Sequence, residues 1–111
     1  MKARRVLTTG ANGGIGLATV LEVAARGHRS IGTIRTAAAA EVVEQAALER
    51  GVAVETQLLD VNDPEACAEV IDRTRPEVLV NNAGYALFGA VESTPEEDAR
   101  QLVETLLFSS V

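Results

Sequence analysis

Hydrophobic and polar positions change period several times along the chain, and each change marks a new element. RRVLTTG holds a short β-branched and aliphatic stretch that glycines then break, and LATVLEVAARG, apolar on most sides, runs on to Gly27. That order is strand, loop, helix. HRSIGTIRT predicts a second strand near 29–34, and the alanine-rich AAAAEVVEQAALERG a second helix with Gly51 as its C-terminal cap. VAVETQLLD predicts a third strand ending near Leu59. DPEACAEVIDRTRP then opens with Asp63 as N-cap and Pro64 at the first helical position, placing Cys67, Val70, Ile71 and Thr74 on one face. EVLVNN is almost continuously apolar, the pattern of a strand covered on both faces of a parallel sheet. AGYALFGAVES reads as a glycine-containing loop. After it, Thr94, Pro95 and Glu97 form a capping box, and Ala99, Leu102, Val103, Leu106 and Leu107 make an amphipathic helical stripe. Strands alternating with helices at this spacing predict an α/β fold built from right-handed βαβ units around a parallel sheet.

Length fixes how many such units fit. A strand, a helix and their connections take about 25 to 28 residues, so 111 residues hold four, within one domain over 1–111. The composition, 47% hydrophobic and 23% charged with three aromatics, is too mixed for disorder and leaves the core to aliphatic residues. The first residues, MKARRVLTTG, contain no apolar run of signal-peptide length, and no stretch of membrane-spanning length occurs anywhere, so a cytoplasmic location and no membrane partner are expected. One cysteine and one histidine fall short of the usual zinc ligand sets, so no metal site is expected, and Cys67 is expected to be a small buried hydrophobe.

Net charge is −6, the wrong sign for nucleic-acid binding through a basic face. The charge is uneven, however. Residues 1–36 carry six bases (Lys2, Arg4, Arg5, Arg26, Arg29, Arg35) against Glu22 alone, whereas the remainder carries four bases against fifteen acids. An anionic ligand therefore favours the first third.

That third also holds TTGANGGIG, residues 8–16. At a strand-to-helix junction the first helical N–H groups point outward without partners, and the helix dipole adds partial positive charge, so a phosphate fits there. Gly10 allows a tight exit from the strand, Gly14 close approach of a ligand to the backbone, and Gly16 tight packing of the helix. The spacing is neither G-x-G-x-x-G nor that of a nucleotide-triphosphate P-loop.

The stretch from Thr9 to Gly16 resembles the T-G-x-x-x-G-x-G fingerprint of the short-chain dehydrogenase/reductase family. Leu59-Asp60-Val61, Asn81-Asn82-Ala83-Gly84 and TPEEDARQLVETLLF resemble the family's next three signatures, in the same order and over nearly the whole chain. Gly10, Gly13 and Gly16 also fit the spacing of its extended, epimerase-like members, but N-N-A-G favours the compact dehydrogenases. The resemblance implies a Rossmann-like, doubly wound parallel sheet of four strands with helices on both faces, incomplete relative to the full family fold. It implies a dinucleotide held by Thr9, Gly10 and Gly16 around the loop. In that site Asn12, Gly13, Gly14 and Ile15 meet the pyrophosphate and adenosine ribose, Asp60 and Val61 the adenine, and Asn82, Ala83 and Gly84 the nicotinamide ribose. Asp60 has a local alternative as a turn cap, and Asn81 as a brace of the sheet.

Cofactor choice in such folds is made at the end of the second strand, where an acid accepts from the ribose 2′-hydroxyl. Here that place reads Thr33-Ile34-Arg35-Thr36, with no acid. Arg35 is expected to favour the 2′-phosphate of NADP(H), with a hydrogen bond from Thr33 or Thr36, and NAD(H) is the alternative. The family's Tyr-x-x-x-Lys pair has no counterpart, because the one tyrosine, Tyr85, and the one lysine, Lys2, lie in the wrong order and spacing. No catalytic residue is therefore assigned. Aligned through Phe108, the family's N-x-x-G pattern meets Leu106 and Ser109, with Thr105 as the polar neighbour. Substrate contacts are expected only weakly, from residues 85–89. The expected function is an NADP(H)-dependent oxidoreductase of an alcohol/carbonyl pair, this chain being a truncated cofactor-binding part with little turnover alone. The competing expectation is a complete, non-catalytic or redox-sensing dinucleotide-binding module that covers its exposed sheet edge or last helix by homo-oligomerisation.

Overall fold

The computed structural model describes residues 2–85 and 89–110. Residues 86–88, within the stretch expected near a substrate, lie outside the described residues. Four parallel strands, β1 (Arg5–Thr8), β2 (Arg29–Ile34), β3 (Val54–Leu58) and β4 (Val78–Val80), form one sheet in the order β3-β2-β1-β4. Leu7 sits between Ile31 of β2 and Leu79 of β4. After β3 the chain crosses back over the sheet to place β4 beyond β1, so the direction of winding reverses between β1 and β4.

Three helices cover the sheet. α1 (Gly14–Ala25) and α2 (Ala37–Arg50) pack on one face, where Ala11, Val20, Ile34 and Val43 are buried together. α3 (Pro64–Thr74) packs on the other, its Val70 against Leu7, Ile31 and Leu59. Local chemistry sets their ends. The Thr36 hydroxyl accepts from Ala39 N–H at 3.1 Å to start α2, and Gly51, at φ +74°, ends it. The Asp63 carboxylate accepts from Ala66 N–H at 3.2 Å and Pro64 occupies the first turn of α3. Arg26 and Arg50 both bond Glu22, at 3.0 and 2.7 Å, tying α1 to α2 and holding the Glu22 carboxyl below its usual range, Arg50 foremost. No helix among the described residues is long and apolar enough to cross a membrane.

Three local expectations fail, each because tertiary context overrides a sequence rule. Ile71, placed by periodicity on the inner face of α3, is 43% exposed, because α3 sits over β1 and β2 and nothing among the described residues covers its far side. β4 is the expected open edge, but it lacks the cover on both faces that its apolar run suggests, with Leu79 48% exposed. Its apolar character would be used fully only with a neighbour beyond it. The capping box at Thr94 does not form either. A 3-10 turn at Val91–Ser93 directs the Thr94 hydroxyl back to the Ala90 carbonyl at 2.9 Å, and α4 (Glu96–Leu106) begins after Pro95 without a side-chain cap.

α4 and the 3-10 turn after it, Phe108–Ser110, stand away from the sheet. Val103, Leu106, Leu107 and Phe108 are exposed and Thr105 alone in α4 is buried. The radius of gyration, 15.0 Å, exceeds the about 13 Å of a compact chain of this length.

Cys67 packs against the Leu7 cluster and its thiol donates to the Val61 carbonyl at 3.6 Å. Partial burial, then Asp63 and Asp60, push its pKa up. Less thiolate at a given pH means slower reaction. Alkylation by iodoacetamide at about pH 8 should run several-fold slower in the native chain than in denaturing urea. Equal rates would contradict this packing.

Candidate functional site

The carboxyl ends of β1 and β4 meet the start of α1 at the winding reversal, where open parallel sheets form a crevice. Gly10 leaves β1 at φ +67°, a conformation that a side chain resists, and Ala11 N–H donates to the Thr33 carbonyl at 2.9 Å. Ala11 is thereby buried over Gly32, where an added Cβ would stand 2.7 Å from the Ala11 methyl. α1 then starts at Gly13 and Gly14 with no side-chain cap and no acid in its first turn. Asn12, Gly13, Gly14 and Ile15 are all exposed. The outcome is a helix N-terminus whose N–H groups face open space, fit to receive an anion.

Thr9 organises this region. Its buried hydroxyl accepts from the N–H groups of Asn82 (3.0 Å) and Ala83 (2.9 Å), while its own N–H donates to the Val80 carbonyl at 3.1 Å. The Asn82 side-chain amide returns the link, donating to the Thr9 and Gly10 carbonyls at 3.0 and 3.1 Å. A methyl at Gly16 would overlap the Gly10 carbonyl and the Asn82 amide nitrogen. Gly16 thus permits α1 to approach the loop and the β4 end, rather than the sheet as such.

The crevice has two adjoining hollows that share Gly10, Asn12, Ala83 and Gly84. One, against Gly13, Ile15 and Asn82, lies at the helix N-terminus. The other, of about 200 Å³, runs under Thr33, Ile34, Arg35, Leu59, Asp60, Val61, Asn62, Tyr85 and Thr105. Ten of the residues singled out from the sequence therefore come together on these walls: Gly10, Asn12, Gly13, Ile15, Arg35, Asp60, Val61, Asn82, Ala83 and Gly84. Thr9, Gly14 and Gly16 are not on the walls; Thr9 and Gly16 support them from behind. Bracing of the sheet belongs to Asn82, while Asn81 is exposed.

Arg35 follows β2 at the carboxyl end, its side chain 76% exposed and its Nη2 4.0 Å from Asp60 Oδ2. Asp60 in turn accepts through Oδ1 from Asn62 N–H at 3.0 Å, so it also caps its own turn. The other early bases lie elsewhere: Arg5 and Arg29 pair side by side at the amino end of the sheet, bonded to Glu77 and Glu55. Thr36 is committed to capping α2, leaving Thr33 on the wall. Lys2 precedes β1 and Tyr85 follows β4, at opposite ends of the sheet. No cluster of potential metal ligands occurs among the described residues.

Asn62 was not singled out from the sequence. Its amide donates to the Thr105 hydroxyl at 2.9 Å, and Leu106 fills the space a Gly84 side chain would need. These contacts hold α4 against the hollow. The only advance signal is that Asn62 lies two residues beyond Asp60, the spacing of an Asx turn.

Comparison with known proteins agrees with this geometry. The family described as short chain dehydrogenase matches residues 4–111. The 3-oxoacyl-(acyl-carrier-protein) reductase FabG of Escherichia coli K12 is 32% identical, over 93% of this chain and 43% of its own length. The 2-dehydro-3-deoxy-D-gluconate 5-dehydrogenase of Bacillus subtilis is 31% identical, over 98% and 44%. Among solved structures, a short-chain dehydrogenase from Sphingobium yanoikuyae in complex with NADPH superposes with a TM-score of 0.78 at 31% identity, covering 94% of this chain and 43% of that one. A metagenomic short-chain oxidoreductase in complex with NADP gives 0.81 at 26% identity, covering 96% and 52%. The chain spans less than half the length of these curated relatives.

Replacing Thr9 with Val would leave the Asn82 and Ala83 N–H groups without their acceptor. A loss of about 1 to 3 kcal/mol is expected in urea unfolding, with Thr9→Ser retaining most of the native stability. An unchanged midpoint for Thr9→Val would show that this hydroxyl does not join the two strand ends.

Proposed function

The chain belongs to the short-chain dehydrogenase family, and on that premise we propose that residues 1–111 form an NADP(H)-binding domain portion of an oxidoreductase acting on an alcohol/carbonyl pair in the cytoplasm. Arg35 is the observation that carries the choice of cofactor. It follows β2 at the carboxyl end of the sheet, on the crevice wall, where an acid would favour NAD(H) instead. A 2′-phosphate carries close to two negative charges and takes charge-assisted hydrogen bonds from a guanidinium. The complexes of two relatives with NADPH and NADP support the same reading.

Each wall has a part in binding. The open N–H groups of α1 receive the pyrophosphate, and Gly13 and Gly14 leave it room. Val61 gives the adenine apolar contact, with Asp60 at its edge. Ala83 and Gly84 present backbone to the second ribose. When bound, the nicotinamide supplies hydride exchange with the substrate carbon. Protonating the resulting alkoxide needs a positioned acid. Tyr85 and Lys2, the only tyrosine and lysine, stand at opposite ends of the sheet, so the chain on its own is proposed to turn over little or nothing.

A second reading rests on the exposed Leu79 edge and the exposed Leu106 and Leu107 of α4: a non-catalytic or redox-sensing dinucleotide-binding module whose copies associate there.

Fluorescence titration tests the cofactor assignment. NADPH is expected to bind more tightly than NADH, and Arg35→Asp to weaken NADPH by roughly tenfold or more, about 1.4 kcal/mol per decade. Equal affinities would overturn it. In a separate assay the purified chain should show no NADPH-dependent carbonyl reduction; turnover abolished by Arg35→Asp would overturn the expectation of inactivity.

A further inference from the structure

We propose that Asp60 is a specificity-determining residue for the dinucleotide: its carboxylate opposes the extra phosphate that Arg35 attracts, and so sets an upper limit on the preference for NADP(H). The inference rests on the proposed reading of the hollow beside Arg35 as the place of the 2′-phosphate.

Asp60 cannot readily turn away. Its Oδ1 is held by Asn62 N–H at 3.0 Å, and the flanking Leu59 is buried in the α3-side core. Its free oxygen, Oδ2, stands 4.0 Å from Arg35 Nη2. That separation is longer than the about 2.7 to 2.9 Å of a charge-assisted hydrogen bond, and the arginine is three-quarters exposed, so the pair contributes little to fixing Arg35. The carboxylate acts chiefly as a fixed negative charge beside the guanidinium. A phosphate drawn to Arg35 enters the field of this carboxylate, and like charges brought near one another disfavour each other. NADH lacks that phosphate, so the opposition falls on one cofactor and not the other. Specificity set in this way is a difference between attraction and a built-in repulsion.

The test compares NADPH and NADH affinities by titration for the native chain, Asp60→Asn, Arg35→Ala and the double variant. Asn keeps an acceptor for Asn62 N–H and removes only the charge. The NADPH-to-NADH affinity ratio is expected to rise about three- to tenfold in Asp60→Asn. It should also rise in the Arg35→Ala background, because the repulsion reaches the phosphate directly. Asp60→Ser, which also offers an acceptor, should move the ratio the same way. An unchanged ratio, with both affinities altered alike, would overturn the proposal and assign Asp60 to the shared adenine alone. A lowered ratio, or a rise that vanishes without Arg35, would overturn it in favour of Asp60 positioning the arginine. The two readings separate cleanly. A ratio that rises in Asp60→Asn but does not fall in Arg35→Ala leaves this inference standing and removes the assignment of Arg35. A native preference with an unmoved ratio does the reverse. Binding of neither dinucleotide would overturn both.

Discussion

The Thr9 hydroxyl, accepting from Asn82 and Ala83 N–H, joins two strands that are remote in sequence and adjacent in space. A doubly wound sheet needs such a joint. Where the winding reverses, the chain leaving β1 turns into α1 while β4 ends beside it, and a gap opens between them. Backbone polar groups around that gap have no ladder partners of their own, and leaving them unpaired would be costly. Thr9 and Asn82 satisfy them with side chains. The gap persists as an ordered crevice, and the helix N-terminus, the glycine turn and the β4 end keep fixed positions around it.

Much of this was legible in the sequence where the rules are local. Gly51 ends α2 and Asp63 with Pro64 opens α3 because capping depends on a few neighbouring residues. Arg35 could be placed at the carboxyl end from strand direction alone. The failures share a different cause. Thr94 has the right neighbours for a capping box, yet its hydroxyl finds Ala90 first. Ile71 and Leu79 follow apolar patterns whose meaning depends on what lies beyond α3 and β4. Asn62 and Thr105 meet across 43 positions, and neither carries a periodic or compositional signal. The division of labour within the glycine loop was only partly visible: the motif located the open helix N-terminus, but Thr9 and Gly16 prove to stand behind it as supports.

The uncovered surfaces follow one geometric logic. In order across the sheet, β3, β2 and β1 have helical cover, whereas β4 and α4 present apolar side chains to open space. The boundary falls just past the crevice. The sheet is packed around two buried clusters, and α4 is attached to it, among the described residues, through Asn62–Thr105 and Leu106 against Gly84. The fold's least supported element is therefore tied to the wall of the crevice. That arrangement explains an elongated shape, with extents of 50 × 29 × 25 Å, in a chain whose sheet is compact.

The absence of space at Gly16 has an evolutionary corollary. Where α1, the Gly10 carbonyl and the Asn82 amide already touch, a mutation cannot alter ligand contact without also altering the fold, so selection on binding and selection on stability act there as one. Arg35 and Asp60 are exposed and bear on no buried cluster. Exchanging Arg35, or replacing Asp60 with a residue that keeps an acceptor for Asn62 N–H, leaves the scaffold intact. The two positions to which the choice between phosphorylated and unphosphorylated cofactors is proposed to fall are thus free to vary, while the frame around them is inherited almost without that freedom.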